Sequence, residues 1–413
     1  MVNHIENEPF EIRSFVADNE SQLMTAWEEA YPALFHFKFP DRWRWNMFNN
    51  PFVPADERPL CWVAVAKNGE IAAWSTAMAV PVIAAGQHLI GAHSCDTYTL
   101  ERYRRYGLGK KLQQLNQDAH GIFIAIDPSP PNRRNKYKVG GQPGKPLDTW
   151  LRIGTTLDKN VLYESFLKVV EKYLGRFGEA LFFKCRDLGP AWLLNAACSL
   201  SLRLRQRRDK KDMANGPGDL KFEEIAHFGE ETDLLWCRLV DNYSFAVERN
   251  SAYLNWKYVR QPNFDYHKVL ALRNGEPVGL LVYRLSVSAE QRVGIISECF
   301  SIGDNPAIHA SLIALAMAEF DRNGIDLIKC GASTENQRET LKRLGFGLVD
   351  IDVPVFHISP QASGLNVDEI MARDWLLSLG DSDLDQIRPV QQPSFVEIVR
   401  VLKGKIPGSE YLP

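Results

Sequence analysis

From Asp96 to Leu112 the chain reads Asp-Thr-Tyr-Thr-Leu-Glu-Arg-Tyr-Arg-Arg-Tyr-Gly-Leu-Gly-Lys-Lys-Leu. A strand ends, a short loop carries Gly107 and Gly109, and a helix begins. Glycines let backbone N–H groups approach a ligand closely, and a helix N-terminus adds unpaired donors and a positive dipole end. Arg104 and Lys110 would add charge-assisted contacts. Together these residues suit a pyrophosphate-like anion, although two nearby glycines also serve a simple tight turn. Neither G-x-x-x-x-G-K-[ST] nor a G-x-G-x-x-G after the first strand of a βαβ unit is present.

The elements around this loop recur later in the chain. Trp45 stands six residues before Pro51, and Trp256 six before Pro262. Apolar runs on either side of Asn68-Gly69 and of Asn274-Gly275 predict hairpins with type I′ turns, in which both central residues take positive φ. A third strand follows in each half, about 89–98 and 294–302, then a helix, about 108–119 and 307–321. A short buried strand comes next, 122–126 and 326–329. Asn132 with Gly140, and Asn336 with Gly345, follow at a nearly constant offset. The ordered series predicts two similar domains, 1–205 and 215–413, joined by a linker at 206–214. The basic, then Gly- and Pro-rich seam at 203–219 has no interleaved aromatics, so it reads as a solvated linker rather than a nucleic-acid patch.

The composition is that of a globular protein. Of 413 residues, 45% are apolar and 24% charged, enough for two cores, and the net charge of -3 gives no global basic field for nucleic acid. The polar, acidic start lacks the pattern of a secretory signal, and no run of about 18 apolar residues predicts a membrane span. Cys61, Cys95, Cys185, Cys198, Cys237, Cys299 and Cys330 form no C-x-x-C pair. They fit buried thiols in a reducing compartment, and the expected location is the cytoplasm.

Arg104-Arg105-Tyr106-Gly107-Leu108-Gly109 resembles the [Q/R]-x-x-G-x-[G/A] acyl-CoA loop of the GNAT (GCN5-related N-acetyltransferase) superfamily. The order of elements resembles that fold too. The resemblance implies a mixed α+β architecture of two tandem GNAT-like domains. Each would have a mostly antiparallel central sheet, flanking helices and a splayed strand pair. The loop would hold the CoA pyrophosphate, with the pantetheine arm in the gap between the splayed strands. Thr97, Tyr98, Arg104, Arg105, Tyr106, Gly107, Leu108, Gly109, Lys110 and Asn132 are the expected cofactor contacts. Acetyl-CoA or another short acyl-CoA is the expected co-substrate, with no metal. The second half ends in a family-like Asn336…Gly345-Phe346, but has Ser301-Ile302-Gly303-Asp304-Asn305-Pro306 where the loop should be and Leu341 where the family usually has Tyr. Asp304 would repel a pyrophosphate. The first domain is therefore expected to bind acyl-CoA and the second to be a degenerate copy completing the acceptor pocket.

Acyl transfer to an amine needs a neutral nucleophile, donors for the oxyanion and a proton for the thiolate. Tyr137 is the candidate acid, with a loop or core Tyr as the other reading. Asp96 and then His93 are the candidate bases. Their parity puts them on opposite faces of the strand unless a bulge intervenes. Glu298, Trp256 and Tyr258 are candidate acceptor contacts, with core packing the alternative for the aromatics. Segments 253–258 and 375–383 resemble GNAT-type proteins of bacterial glycan clusters. That tilts the small-molecule amine acceptor toward an amino sugar, nucleotide-linked or free, for polysaccharide synthesis. Monomer and homodimer are both left open. The competing readings are a Fem-like transferase using charged tRNA and a catalytically decayed GNAT scaffold that binds.

Overall fold

A computed structural model describes residues 9–53, 60–154, 218–287, 292–360, 362 and 364–386. The expected linker at 206–214, Cys185 and Cys198 lie outside the described residues. In chain order the first elements are β1 (Phe10–Ser14), α1 (Glu20–Ala30), α2 (Phe35–Lys38), α3 (Asp41–Met47), β2 (Cys61–Ala66), β3 (Ile71–Ala84) and β4 (Gln87–Thr99). Then come α4 (Leu108–Asp118), β5 (Ile122–Ala125), α5 (Pro130–Lys138), β6 (Gln142–Pro143) and β7 (Leu147–Ile153). The series resumes with β8 (Leu220–Glu224), α6 (Glu230–Cys237), β9 (Phe245–Val247), α7 (Ser251–Tyr258), β10 (His267–Arg273), β11 (Glu276–Val287) and β12 (Arg292–Ser301). It closes with α8 (Pro306–Arg322), β13 (Leu327–Ala332), α9 (Glu335–Arg343), β14 (Gly347–Asp352), β15 (Val355–Ile358), α10 (Val367–Met371) and β16 (Trp375–Leu376).

These elements form two mixed α/β units, each around one mostly antiparallel sheet. The first unit takes the described residues of Met1–Pro146, Val240–Phe264 and Asp352–Leu376; the second takes those of Leu147–Leu239, Asp265–Ile351 and Leu377–Pro413. They are therefore not the consecutive blocks 1–205 and 215–413. The first sheet runs β1-β2-β3-β4-β5-β15-β6, and the second β14-β7-β13-β12-β11-β10-β8. In each sheet one strand next to the edge comes from the other half of the sequence. β15 pairs antiparallel with β5, Phe356 opposite Ile124, and β7 with β13, Trp150 opposite Cys330. A strand beside a parallel partner still has one edge to satisfy, and a strand from either half can do so.

In the first unit every residue of β3 is buried. One face of its sheet holds large aromatics, Trp27, Trp43 and Trp74, with Phe15 and Leu23. The opposite face carries Ala64, Ala72 and Ala73 under Leu108 and Leu112. Small side chains there let α4 lie close to the sheet. Trp45 of α3 stacks on Trp256 of α7 at 4.5 Å between centroids and 12° between planes, and its Nε1–H donates to the Trp256 carbonyl oxygen at 3.1 Å.

The two hairpins close differently. Asn274 and Gly275 have φ of 54° and 86°, the expected pair of positive values. In the first hairpin Gly69 has φ 84°, and Asn68 is not among the positive-φ residues. The Gly69 N–H bonds the Ala66 carbonyl oxygen at 2.8 Å, and the Asn68 side chain accepts from the Glu70 N–H at 3.1 Å. This is a three-residue loop closed by a glycine bulge, in place of the expected type I′ turn. The Asn side chain caps the turn, so its backbone need not turn left-handed.

Two local features shape the centre of the sheet. β4 and β5 run parallel but pair only at Ala92–Phe123 and His93–Ile124, so they part after His93. Gly91 permits the approach before that point, since a Cβ there would meet Ile122 Cγ2 at 2.8 Å. The β3–β4 register shifts between Ser75, opposite Thr97, and Ala77, opposite Ser94. Thr76 thus faces both Cys95 and Asp96, a bulge in β4.

Replacing Trp45 with Ala is expected to cost about 3–5 kcal/mol, the usual range for emptying a buried aromatic site. Equilibrium denaturation in urea would measure it; a loss below about 1 kcal/mol would show that the Trp45–Trp256 stack does not anchor α3.

Candidate functional site

The glycine loop is held from behind and open in front. Residues 101–106 form a 3-10 turn. Arg102 pairs with Glu29 and Glu70, and the Tyr103 hydroxyl donates to Glu70 at 2.7 Å. Those contacts pin the turn to the β2–β3 hairpin and to α1. Gly107 then takes φ 69°, and a Cβ there would meet nothing within 4 Å. It is the N-cap of α4, and no side chain caps that helix. Leu108 is buried and fixes the first turn. Arg104 bonds Glu101 at 3.0 Å and the Tyr98 hydroxyl at 3.2 Å; Arg105 and Lys110 are exposed. Tyr106 packs edge-on to Phe10 at 5.0 Å.

The equivalent corner of the second unit is built alike but closed. Gly303 has φ 65°, yet the Asn305 side chain accepts from the N–H groups of Ala307 and Ile308 at 2.9 and 3.3 Å. The N-terminal donors that no side chain caps at α4 are capped at α8.

The bulge decides where the candidate bases point. His93 and Asp96 would face opposite ways on a regular strand; the extra residue brings them to the same face as α2, α3 and α7. Asp96 is buried there between Lys38 of α2 and Arg42 of α3, the latter at 3.4 Å. Burial pushes its carboxyl up, but the two cations outweigh that and hold its pKa below the ordinary value. His93 is buried, and neither ring nitrogen has a hydrogen-bond partner among the described residues. Burial, then Lys257 and Arg249, lower its pKa to about 3, so it is neutral near pH 7.

The remaining expected residues are dispersed. Thr97 Oγ1 lies 3.1 Å from Ser75 Oγ, on the α4 face of the sheet. Tyr98 stacks on Trp74 on the other face. Asn132 on α5 accepts from Gln113 Nε2 of α4 at 3.1 Å, tying the two helices together. Tyr137 is 40% exposed, near the end of α5. Trp256 and Tyr258 are buried in the core of the first unit. Glu298 is buried in the second unit, where the Ser378 hydroxyl donates to it at 2.9 Å. Sequence reasoning missed Lys38, Arg42 and Lys136. Lys136 is 1% exposed, and its Nζ donates to Ser94 Oγ on β4 at 3.0 Å. Its Nζ also sits 4.8 Å from the Phe123 ring centroid. Burial lowers its pKa to about 7, with Cys95 working weakly the other way.

No protein-family model matches the sequence, and no curated protein does. Solved structures do. A GCN5-related N-acetyltransferase from Anabaena variabilis aligns over 84% of this chain and 72% of its own, at TM-score 0.51 and 12% identity. A probable N-acyltransferase from Enterococcus faecalis aligns over 85% and 73%, at 0.52 and 9%. Saccharomyces cerevisiae N-myristoyltransferase with bound myristoyl-CoA aligns over 89% and 88%, at 0.50 and 14%. The chain carries the GNAT fold. Within it, the open loop falls in the first unit, while the bulge and the strand parting recur in the second, where β12 shifts register at Ser297 and leaves β13 after Ile296.

Two outcomes follow. Asp96→Asn leaves Lys38 and Arg42 buried without their carboxylate, so a loss of about 3–5 kcal/mol in denaturant unfolding is expected; an unchanged stability would free Asp96 for proton transfer. Lys136 has a folded pKa below its unfolded one, so the buried ammonium destabilises the fold fully below about pH 7, and less as pH rises toward the ordinary lysine value. Lys136→Met is therefore expected to melt at a higher temperature than the wild type near pH 6, with the gain shrinking as the solution is made alkaline. A constant gain across that range would contradict the burial of the charge.

Proposed function

We propose that the chain is an acyl-CoA-dependent N-acyltransferase of GNAT type whose co-substrate binds the first unit. The observation that carries this reading is the uncapped start of α4 behind Gly107, beside strands that part after His93. The N–H groups at Gly107 to Gly109 would receive the pyrophosphate, with Arg105 and Lys110 at its edge. The pantetheine arm would lie between β4 and β5, and the thioester would end near the bulge. A bulge leaves an unpaired ladder position, and its N–H is suited to the oxyanion. The neighbours support the co-substrate class: one carries myristoyl-CoA in its structure, and another is named an N-acetyltransferase.

In this reading Asp96 fastens α2 and α3 to β4 through Lys38 and Arg42. A carboxylate held down by two cations accepts a proton poorly, and so does an imidazole lowered to about 3. The acceptor amine therefore enters neutral, attacks the thioester carbon and loses its surplus proton to water. The acceptor class is a primary amine, with acetyl or another short acyl group transferred. Amino sugars, free or nucleotide-linked, are the first class to try, on the likeness of segments 253–258 and 375–383 to glycan-cluster proteins. Tyr253, Trp256, Tyr258 and Trp375 are buried, so that likeness supplies packing and not an aromatic platform for a sugar. A Fem-like transferase would not account for the open loop, and a decayed scaffold would not need it.

CoA, acetyl-CoA and longer acyl-CoAs are each expected to raise the melting midpoint, by about 2.7 kcal/mol of stabilisation at one hundred times the dissociation constant. Gly107→Asp places an anion in the phosphate cradle and should abolish the shift, with a somewhat lower unliganded midpoint because the backbone there holds φ 69°. No shift in the wild type with any of these at millimolar concentration would end the proposal.

A further inference from the structure

α5 and α9 match turn for turn. Ser129 and Thr334 stand as their N-caps, Val139 and Leu344 as their C-caps, and Gly140 and Gly345 follow with φ of 90° and 81°. In that alignment Lys136 takes the place of Leu341, which is buried in the core of the second unit. An apolar position in one unit is thus filled by an ammonium in the other. Nothing in the packing asks for it. Among the described residues no carboxylate pairs with Lys136, and its Nζ is held by Ser94 Oγ and the face of Phe123.

Ser94 and Phe123 locate that charge. Ser94 is the residue after the last β4 position paired with β5, and Phe123 is paired with Ala92, one position before the last pair. The ammonium therefore sits where the strands begin to part. We propose that Lys136 gives its proton to the departing thiolate of CoA. This deepens the acyl-CoA reading of the first unit and rests on it. The acceptor nitrogen forms the new C–N bond, and the carbonyl oxygen takes up the displaced π pair. When that pair returns, the C–S bond breaks and its electrons leave with sulfur. Sulfur takes one proton from the Lys136 ammonium to give the CoA thiol. The amide nitrogen loses one proton to water, and water restores the proton on Lys136.

The acidity is right for the step. A lysine brought to about 7 lies near the usual thiol value of about 8.5, and a thiolate beside it raises the lysine, so the two groups share a proton with little loss either way. Among the described residues, few neighbours could alter this. β4 presents Cys95, which raises the Lys136 pKa. β5 presents the uncharged Phe123. α4 presents Gln113, engaged by Asn132. β15 brings His357, whose ring nitrogens lie 3.3 Å from the Gly140 carbonyl oxygen and 3.2 Å from Asp118. Tyr137, the expected acid, is the next residue on α5 and stands 40% exposed.

The test uses CoA itself. With the full chain saturated by CoA, the thiolate absorbance of the bound thiol is followed against pH for the wild type, Lys136→Met, Lys136→Gln and Tyr137→Phe. An ammonium beside the sulfur should lower the thiol pKa by about one unit or more relative to free CoA. In Lys136→Met and Lys136→Gln the bound thiol should titrate at or above the free value, with CoA affinity by calorimetry changed less than about threefold. Tyr137→Phe should titrate like the wild type. Superimposable curves for the wild type and either Lys136 variant that binds CoA would overturn the proposal, as would a shift confined to Tyr137→Phe. If the wild type binds no CoA, the acyl-CoA reading itself fails and Lys136 with it.

Discussion

The parting of β4 from β5 is the constraint on which the rest of the first unit depends. Two parallel strands held together at only two residue pairs leave backbone groups without ladder partners, a costly arrangement inside a protein. The surrounding structure holds it open from several sides. Gly91 draws the strands together just before they separate. The bulge at Cys95 and Asp96 turns β4 away. The ion triad of Asp96, Lys38 and Arg42 fastens the diverging strand to α2 and α3. On the far side β15 satisfies the other edge of β5 through four residue pairs. Arg133 of α5 pairs with Asp352, just before that strand.

The two units share this parting and differ elsewhere. In the second, β12 and β13 pair over four positions, from Val293–Leu327 to Ile296–Cys330, and β12 then runs on to Ser301 without β13, past a register shift at Ser297. Its loop is capped by Asn305, and the place of Lys136 is filled by Leu341. Each of these two differences removes something a bound thioester would need: exposed donors or a proton. Both units keep the same order of elements, so the contrast lies in a handful of side chains and not in architecture.

Much of this was legible in the sequence, because its signals are local. The glycine loop, α4, the third strand of each half and the short buried strand fall within a few residues of where spacing and turn residues put them. The hidden parts are non-local. The exchange of β7 and β15 between sheets depends on pairings between residues far apart in the chain, and neither strand carries a mark of its partner. Asp96 could not be recognised as an ion-pair residue, since Lys38 and Arg42 lie more than fifty residues upstream. The bulge that turns it toward them has no sequence signature. Lys136 sits in Asn132-Arg133-Arg134-Asn135-Lys136-Tyr137-Lys138, which reads as a solvated charged turn. Only the helix register shows that one of its cations points inward. The buried Trp256 and Tyr258 show the converse: aromatic spacing marks a core face more often than a ligand platform.

A crystal structure of the full chain with bound CoA tests the central claim most directly. The account predicts the pyrophosphate on the N–H groups of Gly107 to Gly109, the pantetheine arm between β4 and β5, and the sulfur within hydrogen-bonding reach of Lys136 Nζ. CoA bound at Gly303 in the second unit, or β4 and β5 closed with the cofactor lying elsewhere, would contradict it.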